Sequence, residues 1–156
     1  MRRSPWYAGG LAFACTRCGD CCRRPGEVRF SPDGADAVAR RLLGPSADRS
    51  SLTPELWTED YDGALCVDVA EGESCPFLGE GGCTIHDLKP VHCRTYPFWP
   101  EVLERRALWR NERRYCEGIG EGSPYPLEAI ERVLAERSAT RENNPRPPHA
   151  PDTHER

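Results

Sequence analysis

The sequence is short of the residues that build cores. Leu, Ile, Val and Phe make 26 of its 156 residues, less than the roughly 20% under which chains begin to look disordered. The other half of that signature is missing, because the formal net charge is only −4. A thin core at low charge needs another source of stability, and small scaffolds commonly use metal or disulfides as staples. No stretch reaches the roughly 20 apolar residues of a membrane helix. Lysine is nearly absent, one residue against twenty arginines, and the arginines are scattered among acids. An acidic balance without a basic stripe argues against a nucleic-acid surface. No Ser-His-Asp arrangement, phosphate loop or carboxylate pair stands out, which ranks an enzyme below a binding module.

Cysteine is what the chain has in quantity. Four of its nine fall in Cys15-Thr16-Arg17-Cys18-Gly19-Asp20-Cys21-Cys22. Thiolates at such density suit zinc, copper(I) or iron–sulfur centres. Two residues between sulfurs let the chain curl, and Gly19 eases the curl because it tolerates positive φ. Cys75, Cys83, Cys93 and Cys116 follow at loop-like positions and can fold back onto the first four. Cys66 lies in a strand-like run and reads as a small buried hydrophobe.

A secreted disulfide scaffold competes with the metal reading. Against it stand the odd cysteine count, the Cys21-Cys22 dipeptide and the packed Cys-x-x-Cys steps. Met1-Arg2-Arg3 could open a signal peptide, and Leu11 to Cys15 faintly resembles a lipoprotein cleavage site. The stretch between holds Pro5, Gly9 and Gly10 and is short for an apolar segment. The expected location is the cytoplasm.

One domain is expected from the length. Residues 1–12 read as a flexible lead-in in which Trp6, Tyr7 and Leu11, with Phe13, can pack beside the cluster. Residues 13–137 read as the cysteine-cluster domain, and 138–156 as a disordered tail holding His149 and His154. Glu27 to Phe30 alternates as a short strand. Ser31 caps a helix that has Pro32 at its first position and Gly44 at its end, with Ala35, Val38, Ala39, Leu42 and Leu43 on its apolar side. Thr53-Pro54 starts a second, shorter helix. Ala64 to Val69 is a strand, and Gly79 to Gly82 is a turn that brings Cys75 and Cys83 together. His86 to His92 forms a helical turn broken by Pro90. Cys93 to Phe98 is extended, Leu103 to Trp109 is a strand, and Cys116 to Gly122 is a glycine-rich turn. Ser123 to Arg137 is the last helix. The expected fold class is α+β: a small, loop-rich domain with a few short strands and three helices, tied by a cysteine-ligated metal centre.

These motifs together resemble the YkgJ-type cysteine-cluster family, also described as the CxxCxxCC zinc- or iron-chelating domain. The resemblance runs through Phe13-x-Cys15-x-x-Cys18-Gly19-x-Cys21-Cys22, Cys75-Pro76-Phe77-Leu78 and Gly82-Cys83-x-Ile85. It continues through Pro90-x-x-Cys93-Arg94-x-Tyr96-Pro97-Phe98 and Cys116-x-Gly118-Ile119-Gly120-x-Gly122. It covers about residues 13–122. The chain departs from the pattern at His86, where an aromatic is usual, at Lys89, where Arg is usual, and at Glu117, where Pro is common. Cys66 lies outside the pattern. The resemblance implies a metal-chelating domain whose metal residues are Cys15, Cys18, Cys21, Cys22, Cys75, Cys83, Cys93 and Cys116. It carries no established reaction. A similar cysteine cluster in the flagellin lysine N-methylases makes a metal-dependent enzyme linked to methyl transfer the alternative.

Eight cysteines can make two tetrahedral zinc sites. Cys15, Cys18 and Cys21 also repeat the three-ligand rhythm of iron–sulfur proteins, so an iron–sulfur cluster is slightly preferred over zinc. Neighbouring side chains in extended backbone point to opposite sides. Cys21 and Cys22 therefore fit two close centres, or one centre plus a free thiol. His86 and His92 read as spare ligands or as ordinary histidines near the cluster. Arg94 and Tyr96 read either as outer groups that hydrogen-bond thiolates or as a surface ion pair and a core aromatic. Trp57, Trp99 and Trp109 read as core. The expected partner is a metal ion, with no nucleic acid and no membrane; a protein partner stays open.

Overall fold

The computed structural model describes residues 2–52, 58–59 and 65–139. Among the described residues the architecture is α+β: five short α-helices, two of them only four residues long, beside small antiparallel sheets. The helix expected from Thr53, Trp57 and the tail from residue 140 lie outside the described residues. No helix among the described residues is long and apolar enough to cross a membrane.

The first half builds one small core. Strand β1 spans Leu11–Phe13, β2 Gly26–Phe30, β3 Thr58–Glu59 and β4 Leu65–Val69. β2, β4 and β3 form a three-stranded sheet in that order, with Val28 opposite Val67 and Phe30 opposite Leu65. Helix α1 (Pro32–Leu43) starts as its sequence dictates. The Ser31 side chain accepts from the Gly34 N–H, Pro32 fills the first turn and Gly44 closes the end. Ala35, Val38 and Ala39 are fully buried with Phe30, Val67, Phe77 and Ile85. Burying one such valine is worth about 1.5–3 kcal/mol. Leu42 and Leu43, expected on the same face, are exposed; they stand in the last turn of the helix, beyond its buried residues.

The second half builds another core. Helices α2 (Val91–Arg94), α3 (Pro100–Leu103), α4 (Arg106–Glu112) and α5 (Leu127–Ala139) gather Phe98, Trp99, Val102, Leu103, Trp109 and Ile130. The lead-in is tied onto this core. β1 pairs with the last strand, Ile119–Tyr125, and the Trp6 indole N–H donates to the Leu103 carbonyl at 2.7 Å.

Three sequence expectations are corrected here. The 103–109 stretch is helical rather than a strand, since Pro100 at a first helical position and the run Arg-Ala-Leu-Trp-Arg favour helix. Cys93 and Arg94 belong to a helical turn rather than to an extended segment. Residues 119–125 form a strand, so the last helix starts at Leu127 and not at Ser123.

Gly118 sets how closely the two ends of the domain approach. The Ala14 N–H donates to its carbonyl at 3.0 Å, and a Cβ at Gly118 would stand 2.1 Å from the Ala14 oxygen. Gly118→Ala is expected to push the two segments apart and to cost about 2 kcal/mol or more. A thermal melt followed by circular dichroism should then fall by roughly 4–8 °C; an unchanged melt would contradict this packing.

Candidate metal centre

The cysteine loop leaves β1 and curls at once. Arg17 (φ 59°) and Gly19 (φ 80°) are left-handed, and Asp20–Arg23 form a 3-10 turn. The Arg23 guanidinium closes the loop by donating to the Cys18 carbonyl at 3.2 Å and to Asp20 at 3.1 Å.

The hairpin of β5 (Leu78–Gly79) and β6 (Gly82–Cys83) meets this loop. The Cys75 N–H donates to the Cys22 carbonyl at 2.7 Å. Two further backbone donors point at sulfur: the Phe77 N–H at Cys75 and the Ile85 N–H at Cys83. Cys21, Cys75 and Cys83 all lie around the Cys22 thiol, whose single S–H can be donated to one of them at a time. The expected divergence of Cys21 and Cys22 is thereby corrected. The 3-10 turn puts both on the same side, which extended backbone would not do.

The remaining sulfurs arrive from the other core. Cys93 rides on α2, and Cys116 follows α4 with the Gly118 and Ile119 N–H groups directed at its sulfur. Cys15, Cys18, Cys21, Cys22, Cys75, Cys83, Cys93 and Cys116 all line one cavity of about 280 Å³, and all eight are free thiols. The cavity lies between the cores, with Phe30, Phe77 and Ile85 from the first and Phe13, Trp99 and Tyr125 from the second. Cys66 is fully buried in β4 opposite Arg29, away from this wall.

The electrostatics sort the thiols. The hydrogen bond with Cys22 lowers Cys83 to about 6, helped by the Ile85 N–H, Lys89 and Arg17. The same thiol lowers Cys21 to about 7, again with help from Lys89, and lowers Cys75. Cys22, which keeps its proton to donate, is pushed up. Desolvation pushes up Cys93 and Cys116. In reduced, metal-free protein at pH 7, iodoacetamide should therefore label Cys21 and Cys83 well ahead of Cys93, since only thiolate reacts. Their labelling should slow as pH falls through 7 and 6. Peptide mass mapping reads the order, and Cys93 labelling first would contradict it.

The neighbouring polar groups divide into walls and braces. His86 Nε2 lies 3.6 Å from the Cys15 sulfur and 3.3 Å from Lys89 Nζ, and burial with Lys89 and Arg17 holds its pKa down. The His92 ring packs on Trp99, and its Nδ1 accepts from Arg137 at 3.1 Å. Burial and Arg137 lower its pKa to about 3. Arg94 pairs with Glu136 and donates to the Lys89 carbonyl at 3.1 Å. Tyr96 donates to Glu112 at 2.7 Å. Both line the cavity, yet these hydrogen bonds go to oxygen rather than to thiolate. Trp99 and Trp109 are buried, as expected. Sequence reasoning missed the Arg24–Glu112 ion pair and the Arg24 guanidinium 4.3 Å over the Tyr115 ring. Nothing in the sequence singles out a buried glutamate among exposed arginines.

Among the described residues no three Cys, His, Asp or Glu side chains already stand in ligand geometry. The donors are gathered around the cavity without converging on one point. Their chemistry fits zinc or iron: soft thiolates, backbone N–H groups aimed at three of the sulfurs, and the cations Arg17 and Lys89 nearby to offset negative charge.

A protein-family model matches residues 14–117, about two thirds of the chain: CxxCxxCC, described as "Putative zinc- or iron-chelating domain". No curated protein and no solved structure matches the chain.

Proposed function

We propose that this chain, which belongs to the CxxCxxCC family of zinc- or iron-chelating domains, holds its metal in the cavity between the two cores. The ligands are drawn from the eight thiols that line it. The observation that carries this reading is the shared wall: eight free cysteines, spread from position 15 to 116, line one cavity, and the ninth does not. The domain at work is residues 13–137. Cys22, with Cys21, Cys75 and Cys83 around it, would hold the principal centre.

An iron–sulfur cluster is the metal group we favour. The sequence supplies its Cys-x-x-Cys-x-x-Cys rhythm. A volume of about 280 Å³ lies near the small end of ligand pockets, which is roomier than the closed shell of four ligands around a structural zinc. Such a cluster supplies one-electron chemistry when bound. The chain's own residues hold it through thiolates, balance its charge with Lys89 and Arg17, and exclude water with Phe30, Phe77 and Trp99.

The test is an ultraviolet–visible spectrum of anaerobically purified protein with metal and sulfide analysis on the same sample. A brown protein with broad absorption near ~400 nm and matched iron and sulfide supports the cluster. A colourless protein with stoichiometric zinc keeps the site and changes the metal. Protein that folds without metal and titrates all its thiols overturns both.

A second reading, a metal-dependent enzyme, draws on the aromatic side chains that line the cavity together with the thiols. Catalysis needs an open coordination position. A spectral change on adding S-adenosylmethionine to the metal-loaded protein would favour it, and a saturated, unresponsive metal would end it.

A further inference from the structure

Resting on that reading of the cavity, we propose that the metal site is not all sulfur: His86 Nε2 and the Cys15 sulfur form one nitrogen–sulfur edge of it. The two atoms stand 3.6 Å apart although 71 positions separate the residues. A tetrahedral ion with a metal–sulfur bond of ~2.3 Å and a metal–nitrogen bond of ~2.0–2.1 Å sets two such ligands about 3.6 Å apart. The observed spacing is therefore one at which a single ion can bridge the pair.

The nitrogen is in the right chemical form. Lys89 Nζ lies 3.3 Å from the same Nε2, and an ammonium only donates. Without metal, Nε2 therefore accepts from Lys89, and a metal bound through Nε2 would take the place of that hydrogen bond. His92 differs in its surroundings, because only His86 has a cysteine sulfur beside its ring. Its Nδ1 takes the Arg137 donor and its ring is held against Trp99, with centroids 4.5 Å apart. It serves as wall.

Both partners are braced. His86 begins the turn His86–Leu88, closed by Leu88 N–H to Ile85 carbonyl at 2.8 Å, and Ile85 is buried. Asp87 is tied to α1 through Arg41 at 3.0 Å. On the other side, Ala14 bonds the Gly118 carbonyl at 3.0 Å, and the Thr16 hydroxyl donates to Glu117 at 2.6 Å. Cys15 is thus pinned on either side in sequence, and the edge is set by two separately anchored segments.

Extended X-ray absorption fine structure at the metal edge tests this on the full-length chain loaded with zinc(II) under anaerobic, reducing conditions. Bound metal is measured on the same samples. The expected wild-type spectrum contains imidazole scattering, which His86→Gln removes and His92→Gln keeps. Zinc affinity in His86→Gln should fall at least about tenfold, the least that even supporting groups around a metal cost. A sulfur-only shell in the wild type overturns the inference and leaves the thiol site standing, and so does imidazole scattering that survives in His86→Gln. Wild-type protein that takes up no zinc overturns the site itself. Should His86→Gln fail to fold, the wild-type spectrum alone still decides.

Discussion

Cys22→Ser is expected to abolish metal retention, while Cys66→Ser leaves it near the wild-type level. The two residues are equally cysteine, but their positions differ. Cys22 sits at the centre of the quartet and touches Cys21, Cys75 and Cys83. Its carbonyl also takes the Cys75 N–H at 2.7 Å, so its backbone fixes where the hairpin docks. Serine keeps that backbone and replaces only the soft donor with a hard, neutral hydroxyl, which zinc and iron bind poorly beside thiolates. Cys66 is fully buried in β4 and does not line the cavity. Serine there places a hydroxyl in a core and costs stability, not metal. Metal analysis after gel filtration separates the two. Equal metal loss in both variants would mean that retention follows global stability rather than ligation.

The second large effect is that of metal removal. Stripping the loaded protein with a chelator under reducing conditions should cost most of its stability, on the order of 10 kcal/mol. That matches the whole stability of an ordinary domain, about 5–15 kcal/mol. The reason lies in the architecture. Each core has eight buried residues among those described. Two of the three sheets among the described residues are two-stranded, and isolated two-stranded sheets are marginal at best. Between the cores lies a cavity with eight thiols on its wall, three of which have pKa values held low. Without a metal, the charge that forms on Cys21 and Cys83, lowered to about 7 and about 6, is repulsive between them; with one, the thiols become the joint between the halves. Calorimetry of the loaded and stripped forms should show the main cooperative transition lost or far lower in the stripped form. Coincident transitions would contradict a metal-dependent fold.

Much of the site was legible in the sequence because cysteine spacing survives folding as proximity. Cys15 to Cys22, and the turn joining Cys75 to Cys83, could be read directly. So could α1, whose Ser31, Pro32 and Gly44 are local signals that need no tertiary context. What could not be read depended on distant partners. The strand at 119–125 exists because β1 returns to pair with it; alone, its glycines read as a turn. The common orientation of Cys21 and Cys22 depends on a 3-10 turn that follows two left-handed residues, and only one of these, Gly19, announces itself. The Arg24–Glu112 pair lies 88 positions apart in sequence. The departures at His86, Lys89 and Glu117 were visible one by one, but their shared neighbourhood around Cys15 was not.

The most direct test of the central claim is to alkylate the metal-loaded protein, then map each cysteine by mass spectrometry while measuring the metal that remains bound. If the cavity thiols hold the metal, Cys15, Cys18, Cys21, Cys22, Cys75, Cys83, Cys93 and Cys116 stay protected until a chelator is added, and then label as the metal leaves. A protein that keeps its full metal content while these eight cysteines are alkylated would contradict the account.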